Sequence, residues 1–130
     1  MKYHTTIKNI PEYYIIGKRK YYLTANTIFK RHSRHIISII MQKMKTLLSV
    51  HLYNAPVFKH PVQIEIDYYS HKKGFDIDNK GYIWVKAIND VLQSIGKIPD
   101  DSVEYIPVNI YKYIPVKSPE PSLTIIITEV

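Results

Sequence analysis

Between residues 62 and 68 the chain reads Val-Gln-Ile-Glu-Ile-Asp-Tyr, apolar and polar side chains in strict alternation. A period of two sends one set of side chains to a core and the other toward water, which dictates a half-buried strand. The sequence on either side has a different period. From Thr24, a residue suited to an N-cap, Ile28, Ile36, Ile40, Met44, Leu47 and Leu48 recur at close to 3.6 residues, with Ile37 widening the stripe. That spacing predicts a helix from Thr24 to somewhere in 49–54, ahead of Pro56, with Lys30, Arg31, Arg34, Lys43 and Lys45 mostly off its apolar face. A second helix is predicted from about Gly81 to Ile95. Trp84, Ala87, Ile88, Val91, Leu92 and Ile95 share one face, Lys86, Asn89, Asp90 and Gln93 the other, and Gly96 can close it.

Shorter signals complete the outline. Tyr3–Ile10 reads as a strand stopped by Pro11. Tyr13–Ile16 and Lys20–Leu23 read as extended pieces joined by a turn at Gly17-Lys18-Arg19. Val103–Ile114 and Leu123–Thr128 read as two closing strands around a proline-bearing turn at Pro115–Pro121. Pro107 marks the first of these as an edge strand or a bulged one. The order predicts a single α+β domain over residues 1–130, with a mixed sheet and two main helices.

Composition narrows the function. The chain has no cysteine, which removes disulfide scaffolds, thiolate zinc sites and cysteine nucleophiles. The aliphatic run Ile36–Met41 is too short to span a bilayer, and Met1–Thr5 runs into strand-like sequence without a signal-peptide core. The expectation is a soluble cytoplasmic protein that does not engage a membrane. The net charge of +7 is divided unevenly. Residues 1–60 carry 11 bases and one acid, Glu12, for +10; residues 61–130 carry 7 bases and 10 acids, for −3. Six of the eleven acids fall between Asp76 and Glu104. A basic surface attracts a polyphosphate backbone, and clustered carboxylates bind the cations that assist its hydrolysis.

The chemistry-bearing residues are Phe75-Asp76-Ile77-Asp78-Asn79 and Pro99-Asp100-Asp101-Ser102. In an extended segment Asp76 and Asp78 would point to the same side, about 6.5–7 Å apart at Cα, and either Asp100 or Asp101 could add a third carboxylate. Hard divalent cations take such oxygen ligands. Taken singly, each piece also has an ordinary structural role: Asp78-Asn79 as a helix cap, Asp100-Asp101-Ser102 as a turn.

Taken together, these residues resemble the RusA family of Holliday-junction resolvases. The resemblance rests on a basic run (Lys72-Lys73), then Asp76-Ile77-Asp78-Asn79, Lys86-Ala87-Ile88-Asn89-Asp90-Val91-Leu92 on a helix, Gly96, and the pair Asp100-Asp101. It extends more loosely to Ile10-Pro11 and to the closing strand Leu123–Glu129. One departure is clear. The family's lysine follows the second aspartate by four residues, where this chain has Tyr82; Lys86 comes eight residues after Asp78, and Lys80 is the alternative.

The resemblance implies a homodimer that binds branched, four-way DNA junctions and makes paired nicks with Mg²⁺, or Mn²⁺ in its place, in a bacterial or phage-infected cell. Asp76, Asp78 and Asp101 would hold the metal with Asp100 beside them. Lys86 would act on the phosphate, and Asp90 and Asn79 would support the cluster. Lys18, Arg19 and Lys20 in the N-terminal turn, with Lys72 and Lys73 beside the acids, would contact DNA phosphates; Arg31, Arg34 and His71 are weaker candidates. Two further classes fit the same residues: a DNA-binding module without catalysis, and a metal-dependent nuclease acting on RNA or unbranched DNA. A helix separates Asp78 from Gly96, so the site would close within one chain only if the chain folds back along that helix; otherwise Asp101 would come from a partner subunit.

Overall fold

The computed structural model describes residues 1–26, 28, 32–72 and 77–130, residue 78 by its backbone alone. Its elements are β1 (Lys2–Lys8), β2 (Tyr13–Ile16), β3 (Arg19–Tyr22), α1 (Arg34–Leu52), β4 (Val62–Ser70), α2 (Ile77–Ser94), β5 (Val108–Pro115) and β6 (Ser122–Glu129). Four strands form one mixed sheet in the order β1-β6-β4-β5. β4 is antiparallel to β6 and parallel to β5, and β2 and β3 form a separate hairpin. This is a small α+β domain with two helices of three or more turns. No helix among the described residues is long and apolar enough to cross a membrane.

The alternation at 62–68 does what its period requires. Val62, Ile64, Ile66, Tyr68 and Ser70 are buried on one face of β4, beside Leu123, Ile125 and Ile127 of β6. The buried faces of both helices complete this core: Ile40, Met44 and Leu48 from α1, and Trp84, Ile88 and Leu92 from α2. Parallel strands need a long crossover, and α2 supplies it between β4 and β5. β5 is an edge strand, as Pro107 just before it suggested. At Gly81 a Cβ would lie 2.9 Å from the ring of Tyr111 and 3.3 Å from Ile66 Cδ1; glycine there lets α2 approach the sheet closely.

Three expected boundaries are corrected. The long helix begins at Arg34, not Thr24. Ser33 caps it, its backbone extended and its Oγ accepting the Ile36 N–H at 3.4 Å. Ala25, Asn26 and Ile28 are helical, and the Ile28 N–H donates to the Thr24 carbonyl, so Thr24 starts a different turn. The second helix begins at Ile77, four residues early, so residue 78 is helical and the premise of an extended 76–78 segment fails there. The strand expected at Val103–Ile114 forms only from Val108, because residues 103–105 are in a turn where the N–H groups of Tyr105 and Ile106 donate to the Ser102 carbonyl.

The sheet face away from the helices carries an acid pair. Asp67 is buried, and its Oδ1 has no hydrogen-bond partner among the described residues. Glu65 lies two residues away on the same strand, bound to Lys112 of β5 at 3.4 Å, and Thr124 faces Asp67 from β6. The Asp67 carboxyl is raised to about 6, first by burial and then by a side-chain hydrogen bond with Glu65 and its charge, with Lys112 offsetting part of the rise. A carboxyl raised above its unfolded value binds its proton more readily in the fold. Its contribution therefore improves as pH falls from about 6 toward 4 and is unfavourable at neutral pH. Asp67→Asn is expected to stabilise the protein at pH 7.5 by about 1–3 kcal/mol, with the gain shrinking by pH 5. Urea denaturation at both values checks this, and equal destabilisation at both would contradict it.

Candidate active-site cleft and basic surface

α2 carries its apolar residues toward the sheet and its polar ones toward the β5 edge. Tyr82, Val85, Lys86 and Asn89 recur at helical spacing and line one side of a cleft of about 160 Å³. Asn109 and Tyr111 of β5 line the other, and Asp101 closes it from the loop after α2. The loop returns because α2 ends in a left-handed Gly96, φ +75°, after which the N–H groups of Lys97 and Ile98 donate back to the Leu92 carbonyl. The chain thus folds back along its own helix, and Asp101 comes to the level of Lys86 and Asn89.

Two of the expected site residues, Lys86 and Asp101, therefore line the same cleft. Asp100 is exposed and does not line the cleft. Asp90 turns to α1, where its Oδ2 is 3.3 Å from Lys45 Nζ, so its contact braces the two helices. Asn79 accepts the Asn26 N–H at 2.8 Å and fastens the segment before α1 to the first turn of α2. Asp76, Lys73 and Arg31 lie outside the described residues, as does the side chain of Asp78. The backbone of residue 78 is one turn before Tyr82 and about 12 Å along the axis from Lys86.

Asn89 is a cleft residue that sequence spacing assigned only to a polar face. Its Oδ1 is buried and has no hydrogen-bond partner among the described residues. An orphaned acceptor of this kind costs about 1–3 kcal/mol, and a cation or a donor entering the cleft would satisfy it. Asn89 and Asp101 both line the cleft, and amide and carboxylate oxygens are the ligand types that Mg²⁺ and Mn²⁺ take. No three His, Asp or Glu side chains among the described residues converge on one point.

A second polar cluster stands at the N-terminal end of α2. Glu12 Oε2 is 2.7 Å from Lys72 Nζ, and its Oε1 is 3.9 Å from Lys80 Nζ. Lys80 also sits 5.5 Å from the ring centroid of Tyr68. Burial pulls the Lys80 ammonium below the ordinary lysine range, Glu12 opposes this, and Lys72 adds a smaller push in the same direction as burial. Burial and then the Glu12 charge keep the Tyr68 phenol protonated. The Tyr113 hydroxyl donates to the carbonyls of Ser70 and Lys72, tying the end of β4 to β5. Glu12 is thus a structural hub that sequence reasoning missed; the one signal was its being the sole acid of the first sixty residues.

The remaining expected phosphate contacts lie in the hairpin. Gly17, φ +64°, and Lys18 form its turn, and Lys18, Arg19 and Lys20 are all exposed. Arg34, the first residue of α1, is exposed as well. No protein-family model matches the chain, and no curated protein matches it.

Proposed function

We propose that the protein is a Mg²⁺-dependent endonuclease of the RusA type, cutting four-way DNA junctions as a homodimer. The observation that carries this reading is that Asp101, Lys86 and Asn89, the last with an orphaned carbonyl oxygen, line one cleft. Asp101 is twelve positions from Asn89 and fifteen from Lys86 in sequence, and a turn or a cap would not need it beside them. Asp101 and Asn89 would hold the metal from one protomer; residue 78 stands about 16 Å along the axis of α2 from Asn89, so Asp76 and Asp78 would complete the set from the second protomer of the dimer. Bound there, Mg²⁺ would neutralise charge on the scissile phosphate and lower the pKa of an attacking water. Lys86, lining the same cleft as Asp101, would offer its ammonium to a phosphate oxygen. Lys80 is engaged with Glu12 instead, which favours Lys86 for this role. The exposed Lys18, Arg19 and Lys20 supply a sequence-independent grip on the backbone. A two-fold junction needs two symmetric cuts, and a C₂ dimer has two identical sites.

The test is a synthetic four-way junction incubated with the protein and Mg²⁺. Paired nicks, absent from a linear duplex of the same sequence, are expected. Tight binding without cutting under any divalent ion would make the protein a binding module. Equal cleavage of linear DNA or of RNA would make it a nuclease of another substrate class.

A further inference from the structure

We propose that the outer face of the β2–β3 hairpin is a stacking platform for unpaired nucleobases, with the lysines and arginine at its tip holding the neighbouring phosphates. The inference rests on the nucleic-acid part of the reading above and adds the substrate feature that this surface recognises. The register pairs Tyr13 with Tyr22, Tyr14 with Tyr21, Ile15 with Lys20 and Ile16 with Arg19. Successive pairs face opposite sides, so the hairpin has two distinct faces. Tyr14 and Tyr21 point inward: Tyr21 is buried, edge-on to His32 at 4.7 Å between ring centroids. Leu23, also buried, donates its N–H to the Glu12 carbonyl at 2.9 Å and anchors the hairpin's base.

Nothing among the described residues covers the outward pairs in this way. Tyr13 is 36% exposed, Tyr22 49% and Ile15 59%. The two tyrosine rings sit 5.5 Å apart at 58°, and Lys20 Nζ lies 4.7 Å from the Tyr13 centroid. Lys20 therefore takes up one face of Tyr13, and Tyr22 is the ring better able to receive a flat partner. Leaving two aromatic rings and an isoleucine in water on a hairpin of four-residue strands is unfavourable unless something covers them.

Charge selects the occupant. Residues 13–23 contain Lys18, Arg19 and Lys20 and no acid, so a second copy docking there about a two-fold axis would oppose like charges. A nucleic-acid strand has the complementary charge. An intact duplex offers phosphates but keeps its ring faces stacked inside, whereas a strand with unpaired bases offers both. The hairpin is also rooted at the N-terminal end of α2, the helix that lines the cleft: Glu12 binds Lys72 just after β4 and Lys80 in the first turn of α2, and Asn26 binds Asn79 there.

The experiment measures binding in EDTA, where no metal-dependent cleavage can occur, of a single-stranded oligonucleotide containing 2-aminopurine and of a blunt duplex. Wild-type protein is expected to quench the 2-aminopurine and to prefer the single strand at matched salt. Tyr22→Ala should weaken single-strand binding about tenfold and Tyr22→Phe less than twofold, with duplex affinity changed by less than twofold in both. Thermal melts verify that both variants fold, since the side chain lies on the exposed face. Undiminished single-strand binding by Tyr22→Ala, or an equal loss on both DNAs, would overturn the proposal. Loss of a concentration-dependent dimer in sedimentation, with DNA binding intact, would assign the face to self-association and overturn it too. Failure of junction nicking leaves this result standing, and a negative result here leaves nicking standing, so the two readings fail separately.

Discussion

Asp101→Asn is expected to melt with the wild-type protein and to nick a four-way junction at least about 100-fold more slowly in Mg²⁺. The substitution keeps the shape and removes the charge. Asp101 is exposed, and exposed substitutions away from caps and cores change stability by about 0.5 kcal/mol or less. Asp101 is the one acidic side chain lining the described cleft, which Lys86 and Asn89, whose Oδ1 is orphaned, also line. A cation bound only to the native state stabilises it by RT ln(1 + c/Kd), where c is its free concentration, so the rise in melting temperature with millimolar Mg²⁺ should also shrink in the variant. Asp100→Asn is the internal control. Asp100 does not line the cleft, and its loss of activity should stay below about tenfold. Steady-state nicking of a labelled junction and calorimetry with and without Mg²⁺ read both effects. Equal losses from the two aspartates would show that the pair acts as a diffuse negative patch and would remove the argument built on Asp101.

How much of this was legible depended on whether a residue's role followed from local period or from where the chain returns. β4 was legible because Ile64 and Ile66 alternate with Glu65 and Asp67, and no helix tolerates that pattern on one buried face. The inner face of α2 was legible for the same reason. The start of α1 was not. Ile28 is buried and keeps the 3.6 period with Ile36, so the pattern runs through the break that Ser33 makes. Asp76-Ile77-Asp78 suits a strand by alternation and a first helical turn by residue type, and sequence alone favoured the wrong one for residue 78. Of the residues lining the cleft, Lys86 and Asp101 were singled out by motif. Asn89, Asn109 and Tyr111 were not, because they become neighbours only when the loop after Gly96 doubles back and β5 aligns parallel to β4. Asp90 misled for a related reason: one position along a helix is a turn of 100°, enough to direct it to Lys45 on α1 while Asn89 lines the cleft.

Trp84→Ala is expected to cost about 3–5 kcal/mol, a large part of the roughly 5–15 kcal/mol that keeps a domain of this size folded. Trp84 is 1% exposed and is among the largest buried side chains of the core. Truncation removes its transfer free energy and leaves a hole that α2 cannot readily close. Gly81, three residues earlier, already brings the helix against Tyr111 and Ile66 at the shortest distance their atoms allow. The melting temperature should fall by roughly 10–20 °C, and Trp84→Phe, which keeps most of the apolar volume, by much less. The consequence for chemistry differs in kind from that of Asp101→Asn. Lys86 and Asn89 stand on the opposite, cleft-lining side of the same helix, so well below the midpoint Trp84→Ala should keep most of its nicking rate and lose it as the fold melts. A variant fully folded by circular dichroism at low temperature yet inactive there would mean that Trp84 acts on the cleft itself, through the orientation of α2 against β5, and not through the core alone.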